Sequence, residues 1–393
     1  MAASVRFLTE LRGGVRLAVD GVKGVTRIVE GVHGSVLRVA PPLGRRDEKP
    51  LRGISGFVYR SIHGTTSLVG LGMDAALAGA QKLLQSLPAE PGNATGDVAS
   101  AQRGAIVSAL NGVLGDHLER TRNPLAIQME LRRLSPAGAK PLLLVHGLCM
   151  NEQQWTRNGH DHGQALAASL GYSPFYLRYN SGLHISANGA SLATLLEDTF
   201  DAWPVPMESF TIIGHSMGGL VTRSAIHHAV AAGMAWPHLL KQLVFLGTPH
   251  HGATLERGGN WLHRGLGVSP YVAPFTRLSG LRSEGITDLR HGNLLESDWA
   301  SGRFEQRDTR TTVPLPADVA CYAVAGTLGG ESRGDGLVSV ASALGRHERP
   351  TRQLGIAAAR TFVAAGVNHL DLLSSEAVTT RLRKWLAPTR GQS

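Results

Sequence analysis

Three residues in this chain have the chemistry and the chain order to act together on an acyl carbonyl: Ser216, Asp335 and His369. Ser216 lies in Gly214-His215-Ser216-Met217-Gly218, directly after the apolar run Thr211-Ile212-Ile213 and before a helix-compatible stretch. A serine on so tight a strand-to-helix turn needs small residues two before and two after it, and Gly214 and Gly218 supply them. Its hydroxyl would then project from the end of a sheet, with a helix N-terminus facing the reacting centre. With 48 glycines in 393 residues, such a pentapeptide is weak evidence by itself, and its surroundings must carry the argument.

His369, in Gly366-Val367-Asn368-His369, is the candidate base. It is one of 17 histidines, but it alone follows the last expected strand and precedes the last helix. It would take the Ser216 proton and return it to the leaving group. Asp335 stands between Gly334 and Gly336, on a loop whose backbone can turn inward, and would accept Nδ1–H of that histidine. Asp318 is the rival acid, but it precedes its strand and so falls on the wrong side of the sheet. The Leu148 amide, in the turn His146-Gly147-Leu148, pairs with the Met217 amide as the candidate oxyanion donors, each contributing about 3 kcal/mol. His250 and His251, after Thr248-Pro249, read as structural or pocket-lining residues, because a metal site needs three or four converging groups and no such spacing is present. No metal or cofactor is expected.

These residues need elements to position them. From about residue 124 the pattern alternates strands with helices. Strands are expected at 142–145, 174–179, 210–213, 243–246, 319–325 and 360–364, and weakly at 126–134. Helices are expected at 161–170, 185–202, 218–232 and 376–386. Such alternation implies a mostly parallel sheet with helices on its faces. Ligands then bind beyond the carboxyl ends of the strands, where every candidate residue falls. The rhythm breaks at about 253–312, an apolar stretch carrying Trp261, Tyr271 and Phe275 that is suited to covering an acyl pocket as a lid.

Residues 140–390 resemble an α/β-hydrolase of the bacterial lipase type, and are also similar to GPI inositol-deacylase-like hydrolases. The matching residues are His146-Gly147-Leu148, Gly214-His215-Ser216-Met217-Gly218-Gly219, Gly247-Thr248-Pro249-His250-His251-Gly252, Gly334-Asp335-Gly336-Leu337-Val338 and His369-Leu370-Asp371. Five motifs in the family's order are more specific than any one of them. The resemblance implies an α/β-hydrolase fold, a Ser–His–Asp triad, acyl-enzyme chemistry and a lid. It also matches Asp371 to a calcium-binding aspartate of that family, whose partner cannot be placed here beyond Asp318, so calcium is left out.

The first 120 residues depart from the resemblance. Val15, Val22, Val29 and Val36 recur every seven residues, which is amphipathic helix spacing. Valine and glycine are poor helix formers, so this segment needs a surface to pack on. Residues 1–60 hold 11 Lys/Arg and 5 Asp/Glu, most of the net charge of +9, so peripheral contact with an anionic lipid surface is one expectation and a helix packed on the protein is the other. No basic–aromatic interleaving points to nucleic acid. No run of about 20 apolar residues marks a membrane span. Two cysteines make no disulfide framework, and no secretory leader is legible, so a cytoplasmic protein is expected. The chain thus reads as a helical accessory region (1–120) and an α/β-hydrolase domain (121–393) with a lid insertion. The expected activity is hydrolysis of carboxylic esters, with lipid or small-molecule esters as substrates. The alternatives are acyl transfer or thioester cleavage on the same triad, and an inactive lipid-surface binding protein.

Overall fold

The computed structural model describes residues 8–9, 11–20, 96–253, 283–300, 302, 308–329 and 334–388. Most of the expected N-terminal heptad stripe, and the lid segment from 254 to 282 with its aromatic residues, lie outside the described residues.

Contacts divide the chain into two units, one of residues 1–96 with 118–126 and one of residues 97–117 with 127–393. In the first, residues 11–20 are helical. The Gly13 carbonyl accepts from Asn123 Nδ2 at 3.1 Å, and Leu17 is buried.

The second unit holds the sheet. Its strands are β1 (Glu130–Arg133), β2 (Pro141–Val145), β3 (Ser173–Arg178), β4 (Phe210–His215), β5 (Leu240–Leu246), β6 (Ala320–Thr327) and β7 (Thr361–Ala365). Their order is β1-β3-β2-β4-β5-β6-β7, and every pair is parallel except β1 with β3. The helices are α1 (Gly96–Arg120), of which residues 97–117 fall in this unit, α2 (His162–Leu170), α3 (Ile185–Asp201), α4 (Met217–Ala231), the short α5 (Glu284–Asp288) and α6 (Val340–Ala343), and α7 (Glu376–Leu386).

Both faces of the sheet are covered, which is why β2 and β4 are buried at every position rather than alternating with polar residues. Period-two geometry sorts their side chains. Leu142, Leu144, Ile213, Val244, Leu246 and Val324 share a core with Leu166 of α2 and with Val378, Leu382 and Leu386 of α7. On the other face Phe210 packs edge-to-face on Phe200 of α3, with ring centroids 4.7 Å apart. Helix limits follow from local chemistry. Asp161 caps α2 by accepting from Gln164 N at 3.0 Å, and Gly171 ends it in the left-handed region.

From β2 the chain moves to β3 on one side. From β4 it moves to β5 on the other. The crevice beyond β2 and β4 is therefore a topological switch point, where an open α/β sheet opens a ligand site.

Candidate active site

Ser216 sits at that crevice, between β4 and α4. Its backbone has φ +53° and ψ −126°, a left-handed conformation that costs a non-glycine residue roughly 1–3 kcal/mol. The surroundings hold it there. Ser216 N donates to Leu246 O of β5 at 2.8 Å. A Cβ on Gly214 would lie 2.6 Å from Gly219 Cα, and one on Gly218 would lie 2.3 Å from Val145 O. Only glycine lets α4 start this close to the ends of β2 and β4, as the pentapeptide implies. Ser216 is 8% exposed.

The candidate acid and base come from neighbouring strand ends. Asp335 follows β6 and His369 follows β7. His369 Nδ1–H donates to Asp335 Oδ2 at 2.7 Å. Asp335 Oδ1 accepts from Val338 N at 2.8 Å and from Leu337 N at 3.0 Å. The backbones are tied as well, with His369 N donating to Asp335 O at 3.1 Å. Burial by itself would raise the Asp335 carboxyl. The adjacent His369 and the two amides outweigh it and hold the group below its ordinary value. Asp335 therefore stays ionised, and its bond to Nδ1 leaves Nε2 of His369 with a free lone pair.

His369 lies against the elbow. His215, the residue before Ser216, donates from Nε2 to His369 O at 3.0 Å, and the two rings are 4.9 Å apart. That bond puts the His215 proton on Nε2 and leaves Nδ1 buried without a partner. Burial, and then the neighbouring His369, push the His215 pKa down to about 3, so it is a neutral spacer at working pH. Neither this role nor that of Asn368 was visible in sequence. Asn368 Oδ1 accepts from Leu370 N and Asp371 N and so shapes the turn that presents His369.

The other wall is the turn after β2. A Cβ on Gly147 would lie 3.0 Å from Ser216 Cβ, so the turn that carries Leu148 packs against the serine. Met217 is the first residue of α4, so its N–H has no carbonyl four residues back to bond. Tyr179 Oη donates to His146 O at 2.8 Å, and its ring stacks on His146 at 4.4 Å. Cys149 takes a positive φ of 62°, pinned by Cys149 N donating to Ser181 Oγ at 3.0 Å. Behind it stands α1, where a Cβ on Gly112 would lie 2.2 Å from Cys149 Sγ. Burial pushes the Cys149 thiol up to about 12 and the Cys321 thiol up to about 11, so neither is a ready nucleophile.

The remaining candidates fall elsewhere. Asp318 is exposed, ahead of β6. Asp371 receives Arg157, with Nη2 at 3.0 Å and Nε at 3.2 Å from Oδ1, so an arginine already holds the carboxylate that the resemblance linked to calcium. Among the described residues no group of three or more His, Cys, Asp or Glu is arranged to hold a metal ion. His250 and His251 line a small cavity with Arg223 and Arg310. No helix among the described residues is long and apolar enough to cross a membrane.

A mostly parallel sheet, a serine elbow after its central strand, and an acid and a histidine after later strands define an α/β-hydrolase. Residues 136–313 match the model of the PGAP1-like alpha/beta domain family, which agrees with the resemblance carried by the motifs. No curated protein matches the sequence. Among solved structures, a Listeria innocua protein is 14% identical with a TM-score of 0.39, over 65% of this chain and 97% of that one. A metagenomic carboxyl esterase is 16% identical with a TM-score of 0.36, over 60% of this chain and 67% of that one. An esterase of Pyrococcus furiosus is 15% identical with a TM-score of 0.37, over 64% of this chain and 83% of that one.

Proposed function

We propose that this protein is a serine hydrolase of carboxylic esters, with acyl esters of lipids as its substrate class. The observation that carries the reading is the buried His369–Asp335 pair, closed at 2.7 Å and packed against the residue that precedes a strained serine. His369 Nε2 accepts the Ser216 proton while Oγ bonds to the acyl carbon. The carbonyl electron pair moves to oxygen, which the Leu148 and Met217 amides receive at about 3 kcal/mol each. The tetrahedral intermediate collapses, His369 gives its proton to the leaving alcohol, and an acyl-enzyme remains. Water, deprotonated by the same nitrogen, attacks that ester, His369 returns the proton to Ser216 Oγ as the acyl–oxygen bond breaks, and the acid leaves. Asp335 stays ionised throughout and stabilises the imidazolium.

The test is hydrolysis of p-nitrophenyl esters with acyl chains of two to sixteen carbons, with Ser216→Ala alongside. Activity that rises with chain length and falls by more than about a thousandfold in the variant supports a lipid esterase, since removing such a serine costs on the order of a million in turnover. A variant that keeps more than that residue of activity overturns the assignment of Ser216.

A further inference from the structure

A second concentration of chemistry lies away from the triad, between the turn that follows β5, the 291–294 turn and residues 310–313. Its wall is built from Arg223 of α4, His250, His251, Arg310 and Arg352. The space open to the centre of a water-sized sphere is about 20 Å³, enough for a water or one small polar group and too small for an acyl chain. Thr311 and Thr312 on its rim are exposed, so it opens to solvent.

Its charge is unbalanced. Asp308 pairs with Arg352 Nη1 at 2.7 Å and with Arg310 Nε at 3.2 Å. Asp298 acts on Arg310 at longer range but is itself occupied by the Leu294, Leu295 and Thr311 amides. Arg223 has no carboxylate partner among the described residues. It is 6% exposed and donates to Val313 O at 2.5 Å and to His250 Nδ1 at 3.3 Å. Its Nε–H is buried without a partner. Because His250 Nδ1 accepts from an arginine, the ring proton sits on Nε2, and that N–H is also buried without a partner. A buried guanidinium that lacks a counter-charge costs several kcal/mol, and an unpartnered buried N–H costs about 1–3 kcal/mol. Burial, followed by Arg310, lowers the Arg223 pKa to about 9, which is the same electrostatic deficit seen from the proton's side. An anion in the cavity would supply the missing counter-charge, which a cation or a neutral apolar group would not.

We propose that this cavity is a binding site for one small oxyanion, a carboxylate or a phosphate group, held in the field of Arg223, Arg310 and Arg352. Such groups match guanidinium geometry and form short, charge-assisted hydrogen bonds. The site does not depend on the hydrolytic reading, and its test reads binding rather than turnover.

The experiment is a ³¹P NMR titration of inorganic phosphate with the full chain carrying Ser216→Ala, with sodium chloride holding the ionic strength constant. Saturable line broadening that acetate displaces is the expected result. Arg223→Gln should weaken binding at least tenfold. Arg352→Gln, at the half-buried rim, should weaken it several-fold and serves if the Arg223 variant does not fold. A soluble short-chain phosphatidate that competes with phosphate would make the occupant a lipid headgroup. If it does not compete, the occupant is a free anion. An absence of saturable broadening, or equal affinity in wild type and both arginine variants, would overturn the proposal.

Discussion

The two walls of the crevice are held by different forces. The wall of the candidate acid and base is polar: Asp335, His369, Asn368 and His215 form a run of directed hydrogen bonds. The wall of the candidate oxyanion donors is steric. Gly112 of α1 and Gly218 let backbones approach to distances that no Cβ tolerates, a Cβ on Gly147 would press on Ser216 Cβ at 3.0 Å, and the turn carrying Leu148 is set by what it presses against. Losing a hydrogen bond changes a proton's position and leaves the frame standing. Adding a methyl group moves the frame and leaves the protonation intact.

The largest effect therefore belongs to the polar wall. Asp335→Asn should lower turnover on p-nitrophenyl butyrate by about ten-thousandfold, because an amide cannot fix the Nδ1–H tautomer or stabilise imidazolium. The melting temperature should change little, since the side chain is nearly isosteric and its oxygen can still accept from the loop amides. A similar kcat/KM in the variant would point to another acid.

On the steric wall, Gly112→Val should lower kcat/KM by about a hundredfold, the loss that goes with roughly 1 Å of misplacement at the reacting centre. Its pH–rate profile should keep the wild-type shape, because the titratable group it meets, the Cys149 thiol, is pushed up to about 12 by burial and stays neutral over the working range. A shifted profile would show that α1 acts on the proton relay and would erase the distinction between the two walls.

Acid separates the walls in another way. His146 and His162 are pushed down to about 4 and His215 to about 3, in each case first by burial. All three are neutral in the fold and titrate near 6.5 in the unfolded chain. Their folded values are depressed, so the unfolded state binds more protons below about pH 6.5, and stability falls as pH drops through that value towards 4. The loss is on the order of 2 kcal/mol per histidine between pH 7 and pH 5. Asp335 has the same sign but a lower window, its contribution disappearing only below the ordinary carboxylate range near 4. Urea denaturation at pH 7, 6 and 5 reads the histidines alone, and a flat stability over that range would contradict their burial as neutral groups.

What was legible in the sequence follows the same division. Ser216, Asp335 and His369 could be nominated because polar residues at strand ends have a chemical reason to be there, and the structure pairs the last two; the sheet was legible because buried parallel strands are short apolar runs. The seam of α1 against the Cys149 turn was not legible. A glycine in a helix carries no mark of what it touches, and nothing in the sequence singles out Gly112 or Gly115. His215 carries no sign of a role within the pentapeptide, since its bond to His369 O joins residues 154 apart in the chain. The excess of buried cations around Arg223 was hidden for the same reason. Arg223, His250, Arg310 and Arg352 come from four separate stretches, and no period or spacing links them.

The smallest effect should come from the outer end of the polar wall. Asn368 Nδ2 donates to Asp371 Oδ2, and Arg157 closes the run from the solvent side. The bonds there are as short as those around Asp335, but the Arg157 and Asp371 side chains are 35% and 39% exposed. Water competes for both partners and screens their attraction, so an exposed pair contributes about 0–1 kcal/mol. Arg157→Gln should therefore shift the unfolding free energy by less than about 1 kcal/mol and leave kcat on the butyrate ester within about twofold. Raising sodium chloride should narrow the difference between wild type and variant, because the pair is screened over about 10 Å at 0.1 M salt. A loss of turnover as large as that of Asp335→Asn would mean that the run transmits position inwards from Asp371 to His369. The polar wall would then act as one lever rather than a buried pair with a solvated end.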